Sequence, residues 1–212
     1  MEFSSDSFTP PVGYPNGLAL CIIDAVWSIG VKYGGVVTVL NRYREWVPGG
    51  ANAEVRTSAE LAEDIKDVGG PDGFADLVVK NRQRTSSTNG IPKAEAVQRC
   101  AAILRDLRIL TPAELQKPES NAREQAKALW KQVPGQRSGI SWHYLLMLAQ
   151  VEDIKADRMV LGFVADSVND GAMTPDRAYE AMIGAHTLLK REFPEITLRG
   201  LDHAVWSFQR TQ

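Results

Sequence analysis

The chain has 212 residues, a formal net charge of −2 and a pI near 6.0, and 44% of its residues are hydrophobic. This composition is typical of a water-soluble globular protein with a real core, and it argues against coating nucleic acid through bulk positive charge. No run of about 18 apolar residues predicts a membrane span, and the polar N-terminus lacks the apolar stretch of a signal peptide. We therefore expect a cytoplasmic protein.

The helical pattern begins after an irregular segment rich in Pro and Gly over residues 1–16. Leu18, Cys21 and Ile22 start an apolar face with three-to-four spacing. Asp24 interrupts the apolar run "CIIDAVW", where it lies either on the solvent side of an amphipathic helix or in a cleft. Gly34-Gly35 is predicted to separate this helix from a second one that reaches Trp46.

The middle of the chain carries two capping-box signatures, Thr57 to Glu60 and Thr111 to Glu114. Between them we predict a helix through Ile65, a short helix over 74–81 and a long helix over 93–107. The polar loop "NRQRTSSTNGIP" contains Arg82 and Arg84; such a loop is usually solvated, but it could also touch a phosphate backbone.

Helices are also predicted over 121–132, 141–150, from Asp157 to about Val168, from Pro175 to about 192, and over 201–209. No segment alternates with the period of a strand. The sequence therefore predicts an all-α protein of about nine to eleven helices.

Cys21 and Cys100, the two cysteines, lie within apolar helical patterns and are predicted to be buried free thiols. No Cys-x-x-Cys pair offers a zinc or iron–sulfur site of the usual type. His143, His186 and His203 lack the spacing of a shared metal site, and His203 beside Asp202 suggests a structural contact. We expect no metal and no cofactor.

Five stretches carry a resemblance to a known family: "LALCIIDAVWSIGVKYGGVVTVLNRY", "NGIPKAEAVQRCAAIL", "LWKQVPGQRSGISWHYLLML", "IKADRMVLGFV" and "LDHAVWSFQR". In this order the chain resembles the helix-hairpin-helix DNA glycosylase superfamily, of the endonuclease III type, over most of its length. Pro134 and Asp157 are separated by 157 − 134 = 23 positions, which permits an ungapped match.

The resemblance implies a two-lobed glycosylase-like fold, with one lobe over about 30–150 and a second that combines 1–29 with 151–212. It also implies a groove between the lobes that carries Asp157. Under the same resemblance the chain acts as a monomer on double-stranded DNA.

The site residues follow from the same resemblance. Asp157 would be the catalytic carboxylate, which stabilises positive charge on the sugar while the bond to a base breaks; as a bare feature it is also a favoured helix cap. The hairpin would clamp phosphate through backbone N–H groups, and a base pocket would include Trp142, Tyr144 and Asp24. The hairpin residues assigned to DNA are Pro134, Gly135, Gln136, Arg137, Ser138, Gly139 and Ser141.

The chain departs from the family pattern in the hairpin. An ungapped match puts Arg137 at the second hairpin Gly and Gly139 at the Schiff-base Lys, whereas a gapped match makes Gly139 the second Gly and puts Trp142 where alkyl-purine glycosylases place a Trp. Neither provides a Lys, and the iron–sulfur cysteines are absent. The expected activity is therefore monofunctional hydrolysis of a base N-glycosidic bond, without strand cleavage.

Two other functions are open at this point. The family often inserts a Gln into DNA near its first helix, and "VWSIGV" has no counterpart of it. This absence, the low pI and the imperfect hairpin favour a non-catalytic binder of DNA or protein on the same scaffold. A hydrolase or small-ligand protein that uses the same cleft is the third.

Overall fold

The computed structural model describes residues 8–47, 52–117 and 121–210. Within these residues the regular structure is helical, without a β-strand, which confirms the all-α prediction; an isolated bridge joins Arg84 to Pro92. A 3-10 turn over Ala53–Val55 and a π-helical turn over Phe74–Val78 add to the α-helices. The α-helices are α1 Leu18–Trp27, α2 Tyr33–Trp46, α3 Ser58–Asp67, α4 Pro71–Gly73, α5 Lys93–Asp106, α6 Pro112–Gln116, α7 Asn121–Trp130, α8 Ile140–Leu148, α9 Arg158–Val168, α10 Pro175–Leu189 and α11 Leu198–Gln209.

The chain divides into two compact units, and the larger one comprises residues 13–151. Helix α1 lies at its centre, because every residue of α1 is buried and the helix packs against α2, α3, α5 and α8. A helix that is apolar on nearly all sides is typical of a protein core. The predicted boundary at residue 29 therefore differs from the structure, which places residues 13–29 in the larger unit. Cys21 and Cys100 are buried and free in this unit, as predicted.

The break between α1 and α2 is not where the sequence predicted it. Gly34 and Gly35 lie inside the first turn of α2. The chain turns at residues 28–32 instead, where Gly30 adopts a left-handed conformation with φ +71°. Two exposed glycines at a helix start cost little, because the first turn has unpaired N–H groups in any case.

Both predicted capping boxes are present. The Thr57 hydroxyl accepts a hydrogen bond from the Glu60 N–H at 3.1 Å, and the Glu60 carboxylate accepts the Thr57 N–H at 2.8 Å. Thr111 and Glu114 form the equivalent pair at the start of α6. These local bonds satisfy backbone donors that a helix start otherwise leaves free.

The smaller unit comprises residues 8–12 and 152–210 of the described chain. Helices α9, α10 and α11 pack on one another. The irregular N-terminal segment over residues 8–12 is fixed to this unit, because the Arg199 guanidinium donates to the Pro11 carbonyl at 2.8 Å. The buried core is formed by Ile154, Val160, Val164, Ala178, Met182, Ile196, Leu201 and Val205.

Candidate nucleic-acid interface and acidic site

The hairpin between α7 and α8 is shaped by two glycines in left-handed conformation. Gly135 has φ +88° and Gly139 has φ +78°. A Cβ on Gly135 would lie 2.3 Å from the Cβ of Thr85, so the loop before α5 packs directly on this turn. Gly139 has space around it, since the nearest heavy atoms to a Cβ there belong to Lys131 at 3.7 Å. The sequence therefore builds a tight turn that ends at the first residue of α8.

A chain of buried hydrogen bonds links the hairpin to the end of α7 and the start of α8. The Trp130 indole N–H donates to the Ser141 hydroxyl at 2.9 Å, and that hydroxyl donates to Gln136 Oε1 at 2.5 Å. Gln136 and Ser141 are each 1% exposed. Their side chains therefore do not reach the surface, so neither side chain can contact DNA from this position. Gln136 Nε2 has no hydrogen-bond partner among the described residues.

The outer side of the hairpin carries exposed polar groups. Arg137 and Ser138 are exposed and Pro134 is half-buried. The Ser138 hydroxyl accepts the Ile140 N–H at a long 3.4 Å. A Cβ on Gly139 would contact the Lys131 stem and, at 4.0 Å, the His143 ring. Lys131 and His143 thus lie beside the start of α8.

The start of α8 also offers free donors. Within the part of the chain that the structure describes, no group accepts the backbone N–H of Ser141 or Trp142. Gly139 is the N-cap residue and has no side chain to cap them. Both residues are only 1% exposed, so these N–H groups are covered, and an anion outside would meet the positive end of the helix dipole rather than the donors themselves.

Trp142 belongs to the core, which corrects its assignment to a base pocket. It is 1% exposed and meets the Trp130 ring edge-on at a centroid distance of 5.7 Å. Three consecutive aromatic residues on a helix point in different directions. Trp142 is the one that packs against α7. His143 and Tyr144 are only half-buried.

Asp24 is fully buried at the centre of a hydroxyl cluster in the larger unit, so the solvent-side alternative is wrong. The Tyr14 and Tyr33 hydroxyls donate to Asp24 Oδ2 at 2.9 and 3.0 Å, and the Ser28 hydroxyl donates to Oδ1 at 2.7 Å. Burial and the neighbouring Asp24 charge raise the pKa of Tyr33 to about 12. Both also raise the pKa of Tyr144, which is hydrogen-bonded to Tyr33.

Two of the three predicted pocket residues, Asp24 and Tyr144, therefore belong to one cluster. Sequence reasoning missed Tyr14 and Tyr33, which complete it. Neither lies in an apolar helical pattern near Asp24, so no periodic signal connects them. Tyr33 is 43% exposed, so the cluster has an exposed member at the surface of its unit.

Asp157 is the N-cap residue of α9 in the smaller unit. Its Oδ1 accepts the Met159 N–H at 2.8 Å and the Val160 N–H at a longer 3.5 Å. Its Oδ2 lies 3.7 Å from Lys155 Nζ, and 22% of the side chain is exposed. The capping role is therefore present, and one carboxylate oxygen is left for other contacts.

A second carboxyl group, Asp202, accompanies Asp157. Asp202 is 7% exposed and accepts the Lys155 N–H at 2.9 Å. Burial, followed by the charges of Asp157 and Asp153, raises its pKa to about 7, while the hydrogen bond from Lys155 opposes the rise. Sequence reasoning gave Asp202 only a structural contact with its neighbour His203, whose ring stacks on Trp206 at 6.0 Å.

Among the described residues, no three His, Cys, Asp or Glu side chains are arranged to hold a metal ion. His186 instead contacts the Ile196 carbonyl at 3.1 Å. None of the described helices has both the length and the apolar character needed to cross a bilayer.

The described fold is that of an all-helical protein with an open hairpin and a separate acidic site. The chain belongs to the family described as a domain of unknown function, DUF8548, whose model matches residues 2–210. No curated protein and no solved structure matches it.

Proposed function

We propose that this protein is a DNA-binding member of the helix-hairpin-helix glycosylase type that hydrolyses a base N-glycosidic bond with Asp157 as its acidic group. The observation that carries the proposal is the exposed outer side of the hairpin before α8, where Arg137 and Ser138 face solvent. A DNA phosphate fits this surface, because a guanidinium, a hydroxyl and the positive end of a helix dipole bind an anion locally without needing a large net positive charge. This agrees with a net charge of −2.

The side chains around the hairpin support a phosphate rather than a neutral ligand. Arg137 is exposed, and it takes part in none of the ion pairs among the described residues. Lys131 and His143 lie next to Gly139. Such contacts hold the DNA backbone and carry no sequence information, so the hairpin would bind duplexes of any sequence.

The proposed chemistry rests on Asp157. Breaking the bond between a base and its sugar builds positive charge on the sugar, and a nearby carboxylate stabilises that charge and orients a water. The hairpin contains no Lys, so a covalent Schiff base with the abasic sugar is not expected.

The test is release of a base from a panel of damaged or mismatched duplexes, with affinity measured on the same duplexes. We expect the wild-type chain to release one class of base and Asp157→Asn to lose release while it keeps DNA affinity. The matched control is Asp166→Asn, which changes an exposed carboxylate of the same helix. Equal release by Asp157→Asn, or borohydride trapping of a covalent complex, would contradict the mechanism.

A non-catalytic DNA-binding protein on the same scaffold is the second candidate. The observation that favours it is that Asp157 already stabilises the fold, because its Oδ1 accepts the Met159 N–H and so caps α9. This candidate predicts DNA affinity without base release from any duplex, which the same assay detects.

A further inference from the structure

The segment that leads to Asp157 is held by a residue of another helix. Asp202, in α11, accepts the backbone N–H of Lys155 through Oδ1 at 2.9 Å. The N–H of Asp157 in turn donates to the Lys155 carbonyl at 2.6 Å. The peptide groups of Lys155 therefore connect a carboxyl group that is only 7% exposed to the residue that begins α9.

We propose that Asp202 is a positioning residue that fixes residues 155–157 and so sets where Oδ2 of Asp157, the oxygen that does not cap α9, points. This inference rests on the proposed function, in which that oxygen faces the sugar. Without the bond to Asp202, residues 153–156 would have to hold Asp157 through a segment that contains no helix. A displacement of about 1 Å at a reacting group is enough to lower a rate about 100-fold.

The chemistry of the surroundings sets Asp202 apart from a simple packing residue. A buried carboxyl group is costly, and an apolar side chain of similar volume usually stabilises a core at least as well. The charged groups that face Asp202 are Asp157, Asp153 and Lys155. Tyr179 of α10 hydrogen-bonds to Asp153 and completes the polar surroundings. Burial raises the pKa of Asp202 to about 7, so its charge, and with it the field at Asp157, changes near neutral pH.

Two substitutions separate the hydrogen bond from the charge. Asp202→Asn keeps an oxygen acceptor for the Lys155 N–H and cannot ionise, whereas Asp202→Leu removes the acceptor and fills the space. In Asp202→Leu we expect amide hydrogen exchange to rise about tenfold at Lys155, the effect of one lost hydrogen bond. Exchange should also rise at Met159 and Val160, while Asp202→Asn should stay close to the wild type.

Base release provides the functional arm. Asp202→Leu should lower release about 100-fold at unchanged DNA affinity. Asp202→Asn should rescue it and should remove any step in the pH profile near pH 7. A merely structural role would instead lower the melting temperature without changing the pH profile.

A third measurement uses the wild-type chain alone, in case Asp202→Leu does not fold. Carbon-13 carboxyl resonances report each Asp during a pH titration, and the Asp157 resonance should move as Asp202 titrates near pH 7. An Asp157 resonance that does not respond, or unchanged exchange in a folded Asp202→Leu variant, would overturn the positioning role. If exchange and titration behave as expected but the wild-type chain releases no base, the proposed function fails and the positioning of Asp157 stands.

Discussion

Gly135 and Thr85 lie so close together that a Cβ on Gly135 would be 2.3 Å from the Cβ of Thr85. The loop before α5 therefore fits against the hairpin only because residue 135 has no side chain. Gly139, four residues later, shares the left-handed conformation, but a Cβ there would make only ordinary van der Waals contacts, the nearest at 3.7 Å. The two glycines thus separate the effect of a close contact from the effect of backbone conformation.

Gly135→Ala should destabilise the protein more than Gly139→Ala. An alanine in the left-handed region costs about 1 kcal/mol, which is the whole expected cost at Gly139. At Gly135 the clash with Thr85 adds an overpacking cost, for a total of about 3 kcal/mol. Urea unfolding of the two variants gives the comparison directly. Equal losses would mean that the Thr85 loop moves away freely, and Gly135→Ala combined with Thr85→Gly should recover part of the loss.

Arg137→Ala should weaken binding to all duplexes alike and should reduce the salt dependence. Loss of one phosphate contact lowers the slope of log affinity against log salt by about one unit. Gly139→Val should also weaken binding without sequence preference, because a branched side chain in the left-handed region disturbs the start of α8. Fluorescence anisotropy at several salt concentrations measures both effects.

The control for this experiment is Arg99→Ala, which removes an exposed guanidinium that already pairs with Glu95 at 2.6 Å. It should leave the slope unchanged. A slope that falls equally in Arg99→Ala and Arg137→Ala would show that binding senses total charge and that the hairpin makes no particular phosphate contact. Circular dichroism should show the same helicity for all variants.

Local patterns predicted most of the helices, because short-range bonds decide them, although α2 begins before Gly34-Gly35 and not after it. Thr57 and Thr111 are the clearest cases, since each meets a Glu three residues later in the same turn. The position of the hairpin was also predictable, because Gly135 and Gly139 mark the two left-handed residues that the turn requires.

The buried polar groups could not be predicted in the same way. The partners of Asp24 include Tyr14 and Tyr33, which stand ten residues before and nine after it and belong to different elements. The core position of Trp142 could not be predicted from α8 alone, because it depends on the contact with Trp130 of α7. Asp202 is buried by elements far away along the chain, so its neighbours in the sequence carry no sign of its surroundings.

Lys93→Met should destabilise the larger unit and change its pH dependence. Lys93 Nζ donates to the Trp27 and Ile29 carbonyls at 2.7 Å each, at the end of α1. Methionine fills similar space but leaves both carbonyls unpaired, at a cost of about 2 kcal/mol. Urea unfolding at pH 7 measures the loss, and Lys117→Met, at an exposed lysine, should have little effect.

The pH dependence of the same lysine has a definite sign. Burial lowers the pKa of Lys93 from 10.5 to about 8. Between these two values the unfolded chain binds more protons than the folded one, so this group makes the wild type more stable as pH rises from about 8 towards 10.5. Lys93→Met should lack that rise. An identical pH profile in both proteins would mean that Lys93 titrates normally.

Asp202→Asn should stabilise the protein, and the gain should grow with pH. Burial raises the pKa of Asp202 from 3.8 to about 7. The unfolded chain loses this proton near pH 3.8 and the folded chain keeps it to about pH 7, so the folded state binds more protons in between and its stability falls as pH rises. The fall is about 1.4 kcal/mol per unit of pKa difference and stops above pH 7, where both states are ionised.

Asparagine never ionises, so the variant and the wild type should have similar stability at pH 4, and the variant should be more stable by a few kcal/mol at pH 8. Urea unfolding at pH 4, 6 and 8 makes the comparison, with Asp166→Asn as the exposed control. A gain that is the same at all three pH values would show that Asp202 is ionised throughout the folded range and that the carboxyl group is better solvated than its burial indicates.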